Sequence, residues 1–511
     1  MKLKSYGSIY IGTYEVSLRI YEIRQKSRSI HLLTDLRRPV HIAHDLFDGN
    51  NISIETVDDL IHALKDMKRA LIEYGTDVYE VFGGYAVKAA DNYPFLLDQI
   101  RQKTGLHIRL LSNSEQRFFS YEALASLEDF SDMIETSALL ADIGGSSIQL
   151  TLFSKGKIVT TQHILLGAAA VRENLLALSQ KVNGRAEVMD MIIKEIETFF
   201  HVYLPNANPK YLILLNDSIS NLMHYFDEKD ILKNATPREN VVSFLKEIGS
   251  DTYFSNTFNW FENDLRDEMA LPFLLLYDAF VFQTKCEYIS IPGISVHTGM
   301  TYDAVYRSHT FPSSHDFTED VIDAAWAIAK RYGSYDPHVK MMDQMTKQLY
   351  SAIRKKAGLT PRDLTMARVV AILHDCGKYI SLSDAAKCSY AIIMNSEILG
   401  LTHKERKIVA LAAQYHHIKE VQYDLFSESL SLDEYMKLLK LLAMLRICNA
   451  IDSSHRQKVS NLSFRLKEEE LFITVSSETS LNLEKGYFKS KAKFFTEVFG
   501  FRPIIREKKN L

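Results

Sequence analysis

Two stretches of the chain share one pattern of apolar and polar residues, at 9–20 (IYIGTYEVSLRI) and at 141–152 (ADIGGSSIQLTL). In both, apolar residues alternate with other residues on either side of a glycine-containing turn, which predicts two β-hairpins. When the stretches are superimposed, Gly12 falls on Gly144. The repeat predicts two similar lobes that hold a ligand between their turns. The alternative is a chance likeness between two ordinary hairpins.

Helical periodicity appears between and after these hairpins. Residues 54–75 place apolar residues three and four positions apart, and Gly75 is expected to end that helix. Residues 210–226 have the pattern of a strand, a polar turn and a helix. Strands that alternate with helices in this way predict two α/β lobes.

The pattern changes near Asp316, after which helical periodicity dominates to about residue 456. The remaining tail has the pattern of two strands and a helix. The predicted fold class is therefore α/β: two lobes followed by an all-helical domain and a small α+β C-terminal domain. The expected domains are 1–128 for the first lobe, 129–305 for the second lobe, 306–456 for the helical domain and 457–511 for the C-terminal domain.

Composition narrows the class of protein. A chain of 511 residues with 46% hydrophobic and 24% charged residues has the make-up of an ordinary globular protein. A net charge of −4 provides no field that would attract nucleic acid or a membrane surface, so neither is an expected partner. The four cysteines form no CxxC pair, and the N-terminus lacks an apolar signal core. We therefore expect a cytoplasmic protein.

The turn of the second hairpin, DIGGSS at 142–147, has the residue types of a phosphate site. Glycines let backbone N–H groups approach an anion closely. Asp142 could hold a cation or orient a water molecule. The alternative is a tight hairpin with a buried aspartate that caps it.

A second candidate site lies in the helical domain, where His374 and Asp375 are adjacent and His338 precedes them. Together with a downstream carboxylate, these residue types form the metal constellation of metal-dependent phosphohydrolases. At the downstream position stands Asn449, with Asp452 one helical turn later, and the pair His416–His417 is a further source of ligands. The alternative is a helical domain in which hydrogen-bonded histidines bind no metal.

Three short basic clusters, at 356–363, 454–458 and 506–510, could line a groove for a polyanion. Short clusters of this kind are also typical of solvated helix ends.

An ordered set of motifs along the chain resembles the Ppx/GppA family of exopolyphosphatases and guanosine pentaphosphate phosphohydrolases. The set comprises SIYIGTYEVSLRI, FGGYAVKAADN, LLSNSEQRFFSY, DIGGSSIQL, LLGAAAV, GMTYDAVY, ILHDCGKYI, LGLTHKERKIVALAAQYHH and LRICNAIDSSHRQ. The resemblance runs in order over nearly the whole chain. It implies two actin-like, ribonuclease-H-like lobes and a homodimer. It also implies magnesium-dependent attack of water on a terminal phosphoanhydride of inorganic polyphosphate or a guanosine polyphosphate such as pppGpp.

The resemblance also assigns site residues. It places catalytic residues at Glu115, Gln116, Asp142 and Gln149. It places phosphate-binding residues at Gly12, Thr13, Lys88, Gly144, Gly145, Ser146 and Ser147. Asp142 would bind Mg²⁺. His338, His374 and Asp375 are candidate ligands of a second divalent metal.

At several of these positions the chain departs from the family pattern. Tyr10 replaces an acidic residue of the first turn, and Gln116 and Gln149 replace glutamates, the first of them the catalytic base. An amide cannot accept a proton near neutral pH, and the loss of a positioned base costs about 10²–10⁴ in rate. The family's glycine–threonine turn corresponds to 216–220 (NDSIS), and its HHKHS run to 385–389 (AAKCS).

Three functions are compatible with these residues. The first, which the sequence favours because Glu115 is available as a base, is an exopolyphosphatase-type phosphohydrolase weakened by the lost carboxylates. The second is a catalytically impaired protein that binds or senses polyphosphate or a guanosine polyphosphate. The third places metal-dependent phosphohydrolase activity in the helical domain.

Overall fold

The computed structural model describes residues 2–40, 42–178, 184–203, 208–216, 235–249, 269–313, 315–418 and 421–508. Its residues form two compact units, Met1–Asp316 and Phe317–Leu511. Of the predicted segment 210–226, positions 217–226 lie outside the described residues, as do positions 217–220 of the predicted NDSIS turn.

The strands are β1 Ser5–Ile11, β2 Glu15–Arg24, β3 Ser29–Pro39, β4 Tyr79–Gly83, β5 Ile108–Leu110, β6 Ser137–Ile143, β7 Ile148–Ser154, β8 Lys157–Ile164, β9 Tyr211–Asn216, β10 Thr236–Pro237, β11 Tyr288–Ser290, β12 Ser460–Lys467, β13 Glu470–Ser476 and β14 Arg502–Lys508.

The helices of the first unit are α1 Ile42–Gly49, α2 Ile54–Glu73, α3 Tyr85–Ala89, α4 Tyr93–Thr104, α5 Asn113–Ala125, α6 Phe130–Thr136, α7 Ala168–Leu178, α8 Gly184–Tyr203, α9 Arg238–Gly249, α10 Ala270–Gln283 and α11 Val296–Arg307. Those of the second unit are α12 Phe317–Arg331, α13 Asp336–Ala357, α14 Pro361–Leu373, α15 Ala385–Asn395, α16 His403–Tyr415, α17 Leu432–Ile451 and α18 Asn482–Phe499.

The first unit contains two sheets with one shared plan. The first sheet has the order β3-β2-β1-β4-β5, and the second has the order β10-β11-β9-β6-β7-β8. In each sheet a three-stranded antiparallel meander lies beside strands that pair in parallel. The parallel strands are joined through helices, as the alternating pattern predicts.

The internal repeat is confirmed at the level of register. Ile11 pairs with Val16 across the first hairpin, and Ile143 pairs with Ile148 across the second. The strands β1 and β6 are buried along nearly their whole length because helices cover the faces of both sheets.

The helix predicted at 54–75 is present as α2. The hydroxyl of Ser53 accepts a hydrogen bond from the Thr56 N–H and caps its start. Gly75 follows its end with φ +60°, a left-handed conformation that disfavours a side chain.

The second unit is helical from Phe317 to Ile451, as predicted. Capping boxes begin three of its helices, with Thr360, Thr402 and Ser431 as the capping residues. Thr360 belongs to the basic cluster 356–363, which therefore lies at helix ends.

The C-terminal tail differs from the prediction by one strand. The predicted two strands and helix are β12, β13 and α18, but β14 then pairs in parallel with β13 at the edge of a three-stranded sheet. Local pattern does not predict β14, because the end of this strand is rich in charged residues and because Pro503 disfavours a central strand. An edge strand tolerates proline.

A close helix crossing in the first unit provides a test of packing. A Cβ atom on Gly299 of α11 would lie 1.7 Å from the carbonyl oxygen of Phe119 in α5. We expect Gly299→Ala to destabilise the first unit by about 1–3 kcal/mol. The value should lie at the upper end of this range, because the added methyl group can be accommodated only if the backbone moves. Thermal unfolding followed by circular dichroism measures the change.

Gly486 of α18 is the matched control, since a Cβ atom there meets nothing within 4 Å. Gly486→Ala should stabilise its helix by about 0.5–1 kcal/mol. Equal effects of the two substitutions would contradict the crossing described here.

Candidate functional site

The two hairpin turns are closed and supported in the same way. In the first turn, the Gly12 N–H donates to the Glu15 carbonyl at 2.9 Å, and the Ala43 N–H at the start of α1 donates to the Thr13 carbonyl at 3.1 Å. The first N–H groups of a helix have no hydrogen-bond partner within the helix, and the Thr13 carbonyl accepts a hydrogen bond from one of those in α1.

In the second turn the Gly144 N–H donates to the Ser147 carbonyl at 2.9 Å. At the start of α7, the Ala168 and Ala169 N–H groups donate to the Gly144 and Gly145 carbonyls at 3.0 and 2.7 Å. In a trans peptide the C=O and the following N–H point in opposite directions. The N–H groups of Gly145 and Ser146 therefore point away from α7.

The turns face each other across a cleft of about 590 Å³, including the space open to solvent. Residues of both turns line it: Gly12, Thr13, Tyr14, Gly144, Gly145 and Ser146. The turns also touch, since a Cβ atom on Gly145 would lie 3.1 Å from Tyr14 Cε2 and 3.2 Å from Thr13 Oγ1.

Tyr10 and His297 line one side of the cleft. Tyr10 is buried there and contacts the ring of His297 edge-on, at 6.1 Å between ring centroids. His297 lies between the hydroxyls of Ser8, at 2.7 Å, and Ser17, at 2.8 Å. Burial lowers the pKa of His297 well below its usual range, so its ring is neutral at physiological pH. Tyr10 thus supplies a phenol where the family resemblance implies a carboxylate.

A buried ion pair lies behind the second turn. Arg117 Nη1 contacts Asp142 Oδ1 at 2.6 Å, and Arg117 Nη2 donates to the Ser147 carbonyl at 2.7 Å. The two side chains are only 1% and 3% exposed. Burial raises the pKa of Asp142, and the guanidinium opposes that rise. The carboxylate predicted to bind Mg²⁺ is therefore already neutralised by a cation of the protein itself.

Glu115 is held away from the cleft lining by its own helix. It completes a capping box, in which Glu115 Oε2 accepts from the Ser112 N–H at 3.0 Å and the Ser112 hydroxyl at 2.7 Å. Arg109 donates to the other oxygen at 2.9 Å. Burial acts to raise the pKa of Glu115, but the hydrogen bonds from Ser112 and the Arg109 charge outweigh it and lower that pKa. A carboxylate held in this way is a poor proton acceptor.

The other predicted site residues differ in where their side chains lie. Gln116 lines the cleft, and Gln149 is buried directly opposite Asp142 in the β6–β7 ladder. Lys88 is exposed on α3 and does not line the cleft, and Ser147 is buried against Arg117. The roles assigned to these residues stay predictions.

The residues beside Asp142 do not fit Mg²⁺. A hard divalent cation prefers several oxygen ligands, commonly carboxylates. Here the Arg117 guanidinium already contacts the Asp142 carboxylate, and Gln149, which lies directly opposite Asp142 in the sheet, brings a neutral amide.

The second unit brings the histidines of the helical domain together. His338 Nε2 lies 3.4 Å from His374 Nε2, which lies 3.6 Å from Asp375 Oδ2. Burial lowers the pKa of His374 to about 4. His416, which the sequence offered as a further source of ligands, joins the same cluster, and so does His455, which was not predicted to be a ligand.

Two family models match the chain, the Ppx/GppA phosphatase family over residues 19–203 and the Ppx/GppA phosphatase domain III over residues 327–493. Together they cover more than half of the chain. The chain belongs to the Ppx/GppA phosphatase family. The family assignment made from the motifs is therefore confirmed.

Several solved structures are similar to this Ppx/GppA chain at low sequence identity. A structure described as an exopolyphosphatase-like protein has a TM-score of 0.50 at 13% identity, covering 60% of this chain and 98% of that chain. An exopolyphosphatase from Cytophaga hutchinsonii has a TM-score of 0.48 at 18% identity, covering 59% and 97%. The Aquifex aeolicus member of the Ppx/GppA family has a TM-score of 0.47 at 15% identity, covering 60% and 98%.

With the family known, the predicted fold class of two actin-like lobes, a helical domain and a small α+β domain is confirmed. The domain boundaries within it stay predictions. Among the described residues, no helix combines the length and apolar character needed to cross a membrane.

Two features of this Ppx/GppA chain are not among the sequence predictions. Arg117 directly follows Gln116, but its partner Asp142 lies in another element, so local pattern does not indicate the pair. The capping box had a visible signal, because Ser112 and Glu115 have the S-x-x-E spacing at a helix start.

Proposed function

We propose that the cleft between the hairpin turns binds the terminal phosphates of a linear phosphoanhydride, inorganic polyphosphate or a guanosine polyphosphate. In this proposal the chain is a binding or sensing protein with impaired hydrolysis. The observation that carries it is the buried Arg117–Asp142 ion pair, which neutralises the carboxylate on which hydrolysis would depend. Membership in a phosphatase family supports the ligand class.

Support for phosphate binding comes from the donors around the cleft. The N–H groups of Gly145 and Ser146 point away from α7, and both residues line the cleft. The hydroxyls of Thr13 and Ser146 add two donors on opposite turns. The phenol of Tyr10 avoids the repulsion that a carboxylate at that position would exert on an anion, and the carboxylate of Glu15, which also lines the cleft, is paired with Arg37.

Support for impaired hydrolysis comes from the state of the candidate bases at the cleft. Glu15 lines it, but its carboxylate is paired with Arg37, with 3.4 Å between Glu15 Oε1 and Arg37 Nη1. Gln116 also lines the cleft but cannot accept a proton at neutral pH. Glu115 would have to leave both its capping hydrogen bonds and Arg109 before it could act. The preferred hypothesis from the sequence, an active hydrolase based on Glu115, therefore becomes the second candidate.

The binding test uses a charge placed in the turn. Ser146→Asp should weaken binding of long-chain polyphosphate at least tenfold, because a carboxylate at the cleft repels the anion. Ser383→Asp, on an exposed position of the second unit, makes the same change in net charge and should leave affinity unchanged. Isothermal titration calorimetry measures both. Equal affinity of parent and Ser146→Asp would place the ligand elsewhere.

The hydrolysis test compares phosphate release by the parent and by Asp142→Asn, with polyphosphate and with guanosine pentaphosphate. We expect both proteins to release phosphate at the same background rate. Turnover by the parent that Asp142→Asn abolishes would establish the hydrolase instead. Turnover that Glu115→Gln also abolishes would identify the base.

The homodimer and the cytoplasmic location belong to the same proposal and rest on the family resemblance and the composition. Sedimentation velocity of the full chain tests the dimer.

A further inference from the structure

The protons on two buried histidines of the second unit are fixed by helix ends. His374 follows α14, and His374 Nδ1 lies 2.9 Å from the Ala371 carbonyl. His416 follows α16, and His416 Nδ1 lies 2.6 Å from the Ala413 carbonyl. A carbonyl oxygen only accepts hydrogen bonds, so each Nδ1 carries the proton. In the neutral rings, each Nε2 is left with a free lone pair.

A third ring, His338, is oriented by a carboxylate. His338 Nδ1 lies 2.7 Å from Asp452 Oδ2. Asp452 is held in turn by the Gln457 N–H at 2.8 Å and the Gln457 side-chain amide at 3.0 Å. A carboxylate that accepts from Nδ1 is the usual outer partner of a metal-ligating histidine, because it fixes the ring and leaves Nε2 for the metal.

These Nε2 atoms converge on Asp375. His338 Nε2 and His374 Nε2 are 3.4 Å apart, and His455 Nε2 lies 3.9 Å from Asp375 Oδ2. The residues form two triads, and within each triad the ligand atoms all lie within 4.8 Å of one another. Asp375 belongs to both triads. They are His338, Asp375 and His455, and His374, Asp375 and His416.

Among the described residues, the acceptor atoms of the cluster outnumber the hydrogen-bond donors that reach them. His416 Nε2 is buried and has no hydrogen-bond partner among the described residues. Lys378 Nζ contacts Asp375 Oδ2 at 2.5 Å and satisfies that carboxylate, but its side chain is 42% exposed and can move into solvent. A proton shared by His338 and His374 would relieve their contact, yet it would leave His416 without a partner. A cation within the cluster satisfies all these lone pairs at once.

We propose that His338, His374, Asp375, His416 and His455 bind a first-row transition metal, such as Zn²⁺, Fe²⁺ or Co²⁺, with Asp375 common to the two triads. Imidazole nitrogens select such ions over Mg²⁺ and Ca²⁺, which prefer oxygen ligands. The two triads accommodate one or two ions per chain. This centre is independent of the proposed function of the hairpin cleft, since the two share no residue.

The test uses the full chain, purified without chelator, with metal content measured by inductively coupled plasma mass spectrometry. After the metal is stripped, the protein is titrated with Co²⁺, whose visible absorption bands report imidazole coordination. We expect one to two ions per chain. We also expect a rise in the unfolding temperature on Co²⁺ or Zn²⁺ addition, but not on Mg²⁺ addition.

Variants locate the centre. Asp375→Asn and His416→Gln should each weaken Co²⁺ binding at least tenfold, and Asp452→Asn should weaken it about 10–100-fold through the orientation of His338. His403→Gln removes an exposed histidine of the same unit and should change nothing. Circular dichroism checks the fold, and Asp375→Asn, which is nearly isosteric, decides the matter if His416→Gln is unfolded.

Two results would overturn the proposal. Stripped parent protein that shows no Co²⁺ bands and no shift in unfolding temperature would mean that a proton, rather than a metal, fills the cluster. Metal binding that survives unchanged in folded Asp375→Asn would place the metal elsewhere.

Discussion

Replacing Arg117 with methionine should lower the free energy of unfolding of the first unit by about 3–5 kcal/mol, the usual cost of breaking a buried ion pair. The variant leaves the Asp142 carboxylate buried without its cation, and it also removes the donor to the Ser147 carbonyl. Urea unfolding followed by far-ultraviolet circular dichroism measures the loss.

An exposed ion pair of the same unit is the control. Arg101 contacts Asp98 at 2.7 Å, with side chains 58% and 49% exposed. Arg101→Met should change stability by less than about 1 kcal/mol, since solvent screens such pairs. The double variant Arg117→Met/Asp142→Leu should recover most of the loss, because no charge is left unpaired. Equal losses in Arg117→Met and Arg101→Met would show that the Arg117 pair is solvated.

The second large effect concerns hydrolysis. The triple variant Arg117→Ala/Gln116→Glu/Gln149→Glu should release phosphate from polyphosphate in the presence of Mg²⁺ at least about 10²-fold faster than the parent. It presents three carboxylates and no guanidinium, the ligand type that hard cations prefer. Malachite green detection of phosphate measures the rate.

The double variant Gln116→Glu/Gln149→Glu is the decisive comparison. Because Arg117 remains paired with Asp142, we expect it to stay at the parent's rate. Since the loss of Arg117 destabilises the unit, rates are compared below the unfolding midpoint of the triple variant. A double variant as active as the triple variant would show that Arg117 does not oppose catalysis. A folded triple variant without activity would show that hydrolysis requires further residues that this chain lacks.

Much of the fold is predictable from local pattern. The alignment of Gly12 with Gly144 comes from alternation, and the equivalent hydrogen bonds at Thr13 and Gly145 show that the two turns are structurally the same. Both α2 and the helices of the second unit follow from periodicity and caps. The edge strand β14 is not predicted by local pattern, because it forms through its pairing with β13 rather than from its own residues.

The site is less predictable, because it depends on pairs of residues far apart in the chain. Nothing near Arg117 indicates that it will meet Asp142 in another element. In the sequence His455 belongs to the basic cluster 454–458, whereas in the structure its ring stacks on the ring of His338, at 3.6 Å between centroids. Such contacts follow from tertiary packing, which local periodicity does not encode.

The contact between the two turns has a consequence for the kinetics of binding. Thr13 and Tyr14 lie against Gly145, so a phosphate chain that passes between the two turns at this point must first move them apart. Association then includes an opening step that the ligand does not accelerate. In stopped-flow measurements the observed rate should level off at high ligand concentration, and the plateau is the rate at which the turns part.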